Sequence, residues 1–527
     1  MPAHADVMAR ELAELGVEYV FGLPGGEILA FVDACRRAGL RFLLTGHEAS
    51  AAWAAQVVGQ ITGLPGVCAA TLGPGATNLV TGVANAWLDR APLLAITAQI
   101  PSAAIQTMTH QRLPLGELFS PITKASVSIA DEDTAALLKW SASLAVAPRP
   151  GPVHIALPSD VALQEHRGGT GRRDASEMPP SSAAAIAGLA ARLSAATRPL
   201  LLIGLGAPVE TAPVIRALVD QLQAPFLVTP KAKGIVSEDH PLFLGVASGM
   251  AIDRDILDTI RAADLILAIG FDPVECDKTW FADVDIIALD SASMSEGAYK
   301  PLEAIGDLAS LLAELDAAAP APKPWPAALL QTRRSAICRQ PRHSNSGLSP
   351  LRLIEELRAV FPRDGVVTCD VGSHKLLMGQ FWRSYEPGTF FMSNGLSGMG
   401  FGIPAAIAAQ LVHPSKPVMA VVGDGGMLMM LHDLALIRDL RLPIVIVVLS
   451  DRSLSLIRVG AERRGFPPYG VDFAPPDFAA VAVAFGVSGK RVAGIEDAKQ
   501  SVEQALHKRA PFLLEVPIDF NEYYELV

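Results

Sequence analysis

Short apolar runs alternate with stretches of helical period along the whole chain: residues 17–22, 66–71, 93–97, 200–204, 265–270, 418–422 and 444–449 are the clearest. Each run is strand-length and helix-period residues intervene between them, the pattern of βαβ units. Strands that are apolar throughout must be covered on both faces, so the alternation predicts parallel sheets with helices on either side. The fold class expected is α/β, with three doubly wound parallel-sheet domains. Two stretches break the rhythm: residues 164–182 are rich in Arg, Gly and Pro, and residues 317–349 are dense in Pro, Ala, Arg and Ser. Both read as linkers, leaving domains at 1–163, 183–316 and 350–527. No short-period repeat is visible.

Length agrees with three units, since 527 residues exceed what one core organises. Half the residues are apolar and 18% are charged, which excludes a disordered chain. A net charge of −11 without a long basic run argues against nucleic acid as a partner. With no signal-peptide pattern and no uninterrupted apolar run of membrane length, the expectation is a cytoplasmic protein that does not span a membrane. The five cysteines, Cys35, Cys68, Cys276, Cys338 and Cys369, have neither metal-ligand nor disulfide-framework spacing and read as buried thiols.

The chemistry concentrates where apolar runs end. Residues 418–422 lead into Gly423-Asp424-Gly425-Gly426 and then a helical pattern. Glycines between a strand and a helix offer backbone amides and the positive helix end to an anion, and a diphosphate fits there. Asp424 at the strand tip suits a hard cation. The run 444–449 ends in Ser450-Asp451-Arg452-Ser453, about one helix and one strand later, so Asp451 falls at a neighbouring tip. Asp424, Asp451 and the Ser453 carbonyl, with diphosphate and water, make an oxygen-rich set for Mg²⁺. A pair of capping aspartates would read the same way.

Gly423-Asp424-Gly425 followed by Ser450-Asp451 resembles the thiamine diphosphate motif that opens Gly-Asp-Gly and usually closes Asn-Asn. Asp451 stands where Asn is commonest, and catabolic acetolactate synthases also carry Asp there. Other segments resemble the same family, closest to acetolactate synthase large subunits. These are Gly395 to Ala406, Asp370-Val-Gly-Ser373-His374-Lys, Gly46-His47-Glu48-Ala49, Thr71 to Leu79 and Ala84 to Leu93. The resemblance covers essentially the whole chain and implies pyrimidine-binding, central and diphosphate-binding domains, in that order. It implies thiamine diphosphate and Mg²⁺ as cofactors. Glu48 becomes the acid bonded to the pyrimidine ring, which favours the tautomer whose nitrogen takes the thiazolium proton. Met399 becomes the residue that bends the cofactor. Ser373 and His374 become diphosphate contacts, and Pro24, Gly25, Thr71, Asn78, Ser397, Gly426, Met427, Leu454, Ser455 and Leu456 further cofactor contacts. Family members place their sites between subunits, so a homodimer or homotetramer is implied.

The central unit carries Gly204-Leu-Gly206 and Ala268-Ile-Gly-Phe-Asp272-Pro-Val-Glu275, which superficially resemble a dinucleotide fold. The second stretch is more similar to the flavin-free catabolic enzymes, and FAD is not expected. Gly26 stands where related keto-acid decarboxylases carry an acid or Ser for proton relay, which favours carboligation over aldehyde release. Thr109-His110-Gln111-Arg112 resembles the loop that brings a Gln to the reacting centre, so Gln111 and His110 are candidates. Gly460 occupies the place of a Trp that selects larger keto acids. Arg458, Arg463 and Arg464 suit either an acidic substrate or a solvated helix face. The leading expectation is a carboligase of 2-keto acids. A decarboxylase or lyase of aromatic or CoA-linked 2-keto or 2-hydroxy acids, and a non-catalytic thiamine-binding relic, are the alternatives; a relic should have lost Glu48 or Asp424.

Overall fold

A computed structural model describes residues 1–130, 133–168, 183–248, 254–276, 283–318, 321–337 and 348–526. It contains three six-stranded sheets. The first is built from β1 (Tyr19–Leu23), β2 (Arg41–Leu44), β3 (Gly66–Ala70), β4 (Leu93–Gln99), β5 (Ala125–Ser128) and β6 (Pro152–Pro158) in the order 2-1-3-4-6-5. The second has β7 (Pro199–Ile203), β8 (Phe226–Val228), β9 (Phe243–Val246), β10 (Leu265–Ile269), β11 (Ile286–Asp290) and β12 (Leu302–Ile305) in the order 12-11-10-7-8-9. The third has β13 (Val366–Cys369), β14 (Phe390–Met392), β15 (Val418–Gly423), β16 (Ile444–Ser450), β17 (Ser488–Arg491) and β18 (Phe512–Pro517) in the order 14-13-15-16-18-17. Neighbouring strands run parallel, as in β1 with β3 and β13 with β15. The sequence-expected fold class is the one observed, with strand ends within a residue or two of the apolar runs.

Strand order adds what the sequence does not show. The first and third sheets are wound identically, so two of the three units share a topology without a readable repeat. The second has the winding of dinucleotide-binding folds. In all three, the chain reverses its direction of travel across the sheet between two adjacent strands: β1 and β3, β7 and β10, β13 and β15. Ligands of open α/β sheets bind in the crevice at the carboxyl ends of such strands.

Compactness divides the chain into two units. One holds residues 1–177, 395–415 and 429–444; the other holds 178–394, 416–428 and 445–527. In the first, the helix Glu48–Thr62 is buried on nearly every face, because Ala49, Ala51, Ala52, Ala54 and Ala55 let the helices Pro74–Leu88 and Gly402–Val412 approach closely. It stops at Gly63, whose φ of 71° is the left-handed cap that glycine takes without strain. The second unit has separate cores around the second and third sheets. Central strands β3, β4, β7, β10 and β16 are buried throughout, as their continuous apolar composition demands.

The expected linker at 164–182 lies mostly outside the described residues, as does Cys338. Within 317–349, residues Ala327–Ile337 form a helix. Cys35, Cys68 and Cys369 are buried free thiols, whereas Cys276 is only partly buried, which corrects the expectation for that residue. No helix among the described residues is long and apolar enough to cross a membrane.

Candidate active site

Two constellations form at the crevices of the first and third sheets. In the first unit, β2 ends at Leu44 and the helix Glu48–Thr62 begins four residues on, with the His47 side chain accepting a hydrogen bond from the Ala49 amide as its cap. Glu48 is 4% exposed. The Asn78 amide donates to its Oε2 at 2.9 Å. A Cβ on Gly75 would stand 3.2 Å from Oε1, so glycine there leaves the carboxylate room. Thr71, just past the end of β3, fits against the loop after β1: a Cβ on Gly25 would collide with its side chain at 2.6 Å. Pro24, Gly25, Gly26, Glu48, Thr71 and Asn78 therefore gather at one crevice.

Gly26 itself has open space where a side chain would stand. The next residue alters the picture, because Thr71 Oγ1 donates to Glu27 Oε2 at 2.8 Å. The absence of an acid at Gly26 had suggested a loop without a carboxylate; the fold supplies one from Glu27. Gln111 has a positive φ of 54° and its side chain lies 3.2 Å from the Cβ position of Gly73, at the edge of the group. His110 is exposed and is not brought into it. Ser397 and Met399 lie in the segment leading to the helix Gly402–Val412; Ser397 is exposed with a positive φ, and Met399 is half-buried. That segment is anchored through the Gly395 amide, which donates to Asp89 Oδ1 at 2.8 Å, while Asn85 holds the other oxygen at 3.1 Å. The Asn85 to Asp89 motif thus acts as an anchor.

A polar cluster that the sequence did not reveal supports the start of the Glu48 helix. Ser50 Oγ donates to Asp433 Oδ2 at 2.9 Å and lies 3.2 Å from His432 Nε2. Complete burial pushes the Asp433 carboxyl up to about 7, partly offset by the Ser50 hydrogen bond.

In the second unit, Asp424 at the tip of β15 accepts from the amides of Gly425 at 2.8 Å and Arg452 at 2.7 Å. Asp451, at the tip of β16, accepts from Ser455 Oγ at 2.7 Å and the Ser453 amide at 3.1 Å. Ser455 Oγ in turn lies 2.9 Å from Ser373 Oγ. Burial raises both carboxyls, Asp451 to about 6 with the Asp424 charge adding to the effect. Two buried carboxylates side by side are stabilised by a cation between them. Among the described residues no three His, Cys, Asp or Glu side chains group as metal ligands, so a cation here needs backbone, ligand or water oxygens as well. That donor set is all oxygen and fits Mg²⁺.

The same loops fit a diphosphate. A Cβ on Gly426 would stand 1.9 Å from Asp370 Oδ2, so only glycine lets the β13 and β15 loops meet. His374 is the second residue of the helix Ser373–Phe381, its ring against Gly423, and its Nε2 is buried without a hydrogen-bond partner among the described residues. The ring's other nitrogen donates to the Asp370 backbone, so Nε2 is the acceptor of a neutral ring and would face a bound anion as a donor only after taking up a proton. Burial holds the His374 ring down at about 4. Leu454 and Leu456 are half-buried beside Ser455, and Met427 is fully buried, which leaves its backbone as the part that could meet a ligand. Arg458 is committed elsewhere: its Nη1 donates to both Asp472 oxygens at 2.8 and 2.7 Å.

The loops after the central sheet's strands bond to one another. The Gly206 amide donates to the Gly270 carbonyl at 2.7 Å. Glu275, 3% exposed, accepts from the Leu205 amide at 2.9 Å and the Lys231 amide at 3.3 Å.

Both crevices and the full sequence point to one class. The N-terminal TPP binding domain of thiamine pyrophosphate enzymes matches residues 3–117, the central domain 186–315, and the C-terminal TPP binding domain 370–516. The chain belongs to the thiamine pyrophosphate enzymes. Within them it is similar to acetolactate synthases. It is 32% identical to the acetolactate synthase of Bacillus subtilis (strain 168), over 99% of this chain and 94% of that protein. It is 31% identical to the acetolactate synthase isozyme 2 large subunit of Escherichia coli (strain K12), over 98% and 95%. The catabolic acetolactate synthase of Raoultella terrigena is 29% identical, again over 98% and 95%.

Proposed function

We propose that this thiamine diphosphate-dependent carboligase decarboxylates a pyruvate-like 2-keto acid and joins the remaining fragment to a second carbonyl compound. The observation that carries the reading is the buried Glu48 carboxylate, held by Asn78 at the head of its helix, in a chain similar over its whole length to acetolactate synthases. When bound, thiamine diphosphate supplies a nucleophilic carbon and an electron sink. Glu48 holds a proton at the pyrimidine ring nitrogen. Asp424, Asp451 and the Ser453 carbonyl would hold Mg²⁺, and Ser373, His374 and the loop from Gly423 to Gly426 would hold the diphosphate. We assign the pyrimidine to the domain at 1–163 and the diphosphate to the domain at 350–527, with the central domain at 183–316 between them in sequence. The working assembly is a homodimer or homotetramer with its sites between subunits. Glu275 supports a central domain without FAD, since its carboxylate already takes the amides that a nucleotide phosphate would need.

The test is product analysis. Purified protein with thiamine diphosphate, Mg²⁺ and pyruvate should release one CO₂ for each acetolactate formed. Free aldehyde accumulating without ligated product would overturn the carboligase reading.

A further inference from the structure

Glu27 is a second carboxylate at the crevice that holds Glu48, and its surroundings are not those of a structural ion pair. It is half-buried in the first turn after Gly25, and among the described residues no Lys, Arg or His pairs with it. Its fixed partner is a hydroxyl: Thr71 Oγ1, 2.8 Å from Oε2. Thr71 reaches both carboxylates' surroundings, since the Cβ position of Gly75 is 2.9 Å from Thr71 Cγ2 and 3.2 Å from Glu48 Oε1. Strands β1 and β3 are adjacent and parallel, so their terminal loops deliver Glu27 and Thr71 to the same crevice. Gly25 and Gly26 add no side chain that would screen Glu27 from a ligand there.

Ligation has a proton requirement that such a group meets. The acceptor's carbonyl oxygen must gain a proton as the new carbon–carbon bond forms, and the donor-derived hydroxyl must lose one as it becomes the product's keto group. We propose that Glu27 carries this proton, with Thr71 positioning it. In the first step the Glu27 O–H bond breaks, the acceptor's carbonyl π electrons move to its oxygen, and that oxygen takes the proton. In the second the donor-derived hydroxyl returns a proton to the Glu27 carboxylate as its C=O bond forms and the bond tying product to cofactor breaks, with that electron pair left on the cofactor. Glu27 ends the two steps protonated as it began, and the one proton that the overall reaction consumes enters when the donor's keto oxygen becomes the hydroxyl. Glu48 is thereby left to the activation step, and the two carboxylates have separate tasks.

This rests on the carboligase reading, and the experiment separates the two. Glu27→Gln keeps an oxygen for the Thr71 hydroxyl but holds no transferable proton. With holoenzyme and pyruvate, cofactor affinity by calorimetry and first-turnover CO₂ release by rapid quench should stay within about threefold of wild type. Acetolactate formation should fall by roughly 10²-fold or more, the usual contribution of a positioned acid–base group. Glu27→Asp should recover part of it. Ligation by Glu27→Gln within threefold of wild type would overturn the proposal, as would a parallel loss of cofactor binding and CO₂ release. More ligated product with less free aldehyde would assign Glu27 to protonation of carbon and overturn it too. If wild type itself yields no ligated product, the carboligase reading falls and this step with it; wild-type ligation matched by Glu27→Gln removes this step alone.

Discussion

Replacing Asp433 by Asn should make the protein more stable at neutral and alkaline pH, by an amount that grows with pH. Asp433 is completely buried, and burial lifts its carboxyl from the ordinary 3.8 to about 7. The groups facing it are Ser50, whose hydroxyl donates to Oδ2, and His432, whose Nε2 lies 3.5 Å from Oδ1. His432 offers no compensating charge, because burial and the neighbouring His47 both lower its pKa. Between pH 4 and 7 the unfolded chain has already lost the Asp433 proton while the folded chain keeps it. Stability therefore falls as pH rises through this window, and is fully present only below it. The interval from 3.8 to about 7 corresponds to roughly 4 kcal/mol. Asn retains an oxygen for Ser50 and turns an N–H toward His432 without ever ionising. Scanning fluorimetry across pH 4 to 8.5 should show the gap in Tm opening between pH 4 and 7 and then levelling off. At about 2 °C per kcal/mol, the value for a large domain, it reaches about 8 °C. A gap that does not change with pH, or a variant less stable throughout, would refute the reasoning.

Further expectations follow from the second unit. Asp424→Ala should weaken Mg²⁺ and cofactor together, each by at least about tenfold, since even an outer-shell partner is worth that much; calorimetry with unchanged cofactor affinity would contradict the metal assignment. Arg458→Ala should leave KM for 2-keto acids within about twofold, because its guanidinium is already paired with Asp472 through Nη1; a tenfold rise would restore it as a substrate contact.

The strands were readable because their apolar runs are short, and the glycine loops because only hydrogen lets loops approach as closely as those of Asp370 and Gly426 do. Asp424, Asp451 and Glu48 were readable for a related reason: each is polar where an apolar run stops. What stayed hidden depends on strand order. Glu27 and Thr71 are 44 residues apart and meet because β1 lies beside β3. Asp433 lies 383 residues from Ser50 and reads in sequence as an ordinary helix-start acid. Glu275 reads as part of a dinucleotide-like stretch, and its bond to the Leu205 amide, 70 residues away, is not visible there. The common winding of the first and third sheets left no repeat because backbone topology and burial tolerate many apolar sequences.

Exchange of the thiazolium carbon proton of bound thiamine diphosphate for deuterium, followed by quenched NMR in wild type and Glu48→Gln, tests the central claim most directly. Fast exchange in wild type, slowed by at least about 10²-fold in the variant with cofactor still bound, is the predicted result. Equal exchange rates would contradict the role of Glu48 and, with it, the account of this site.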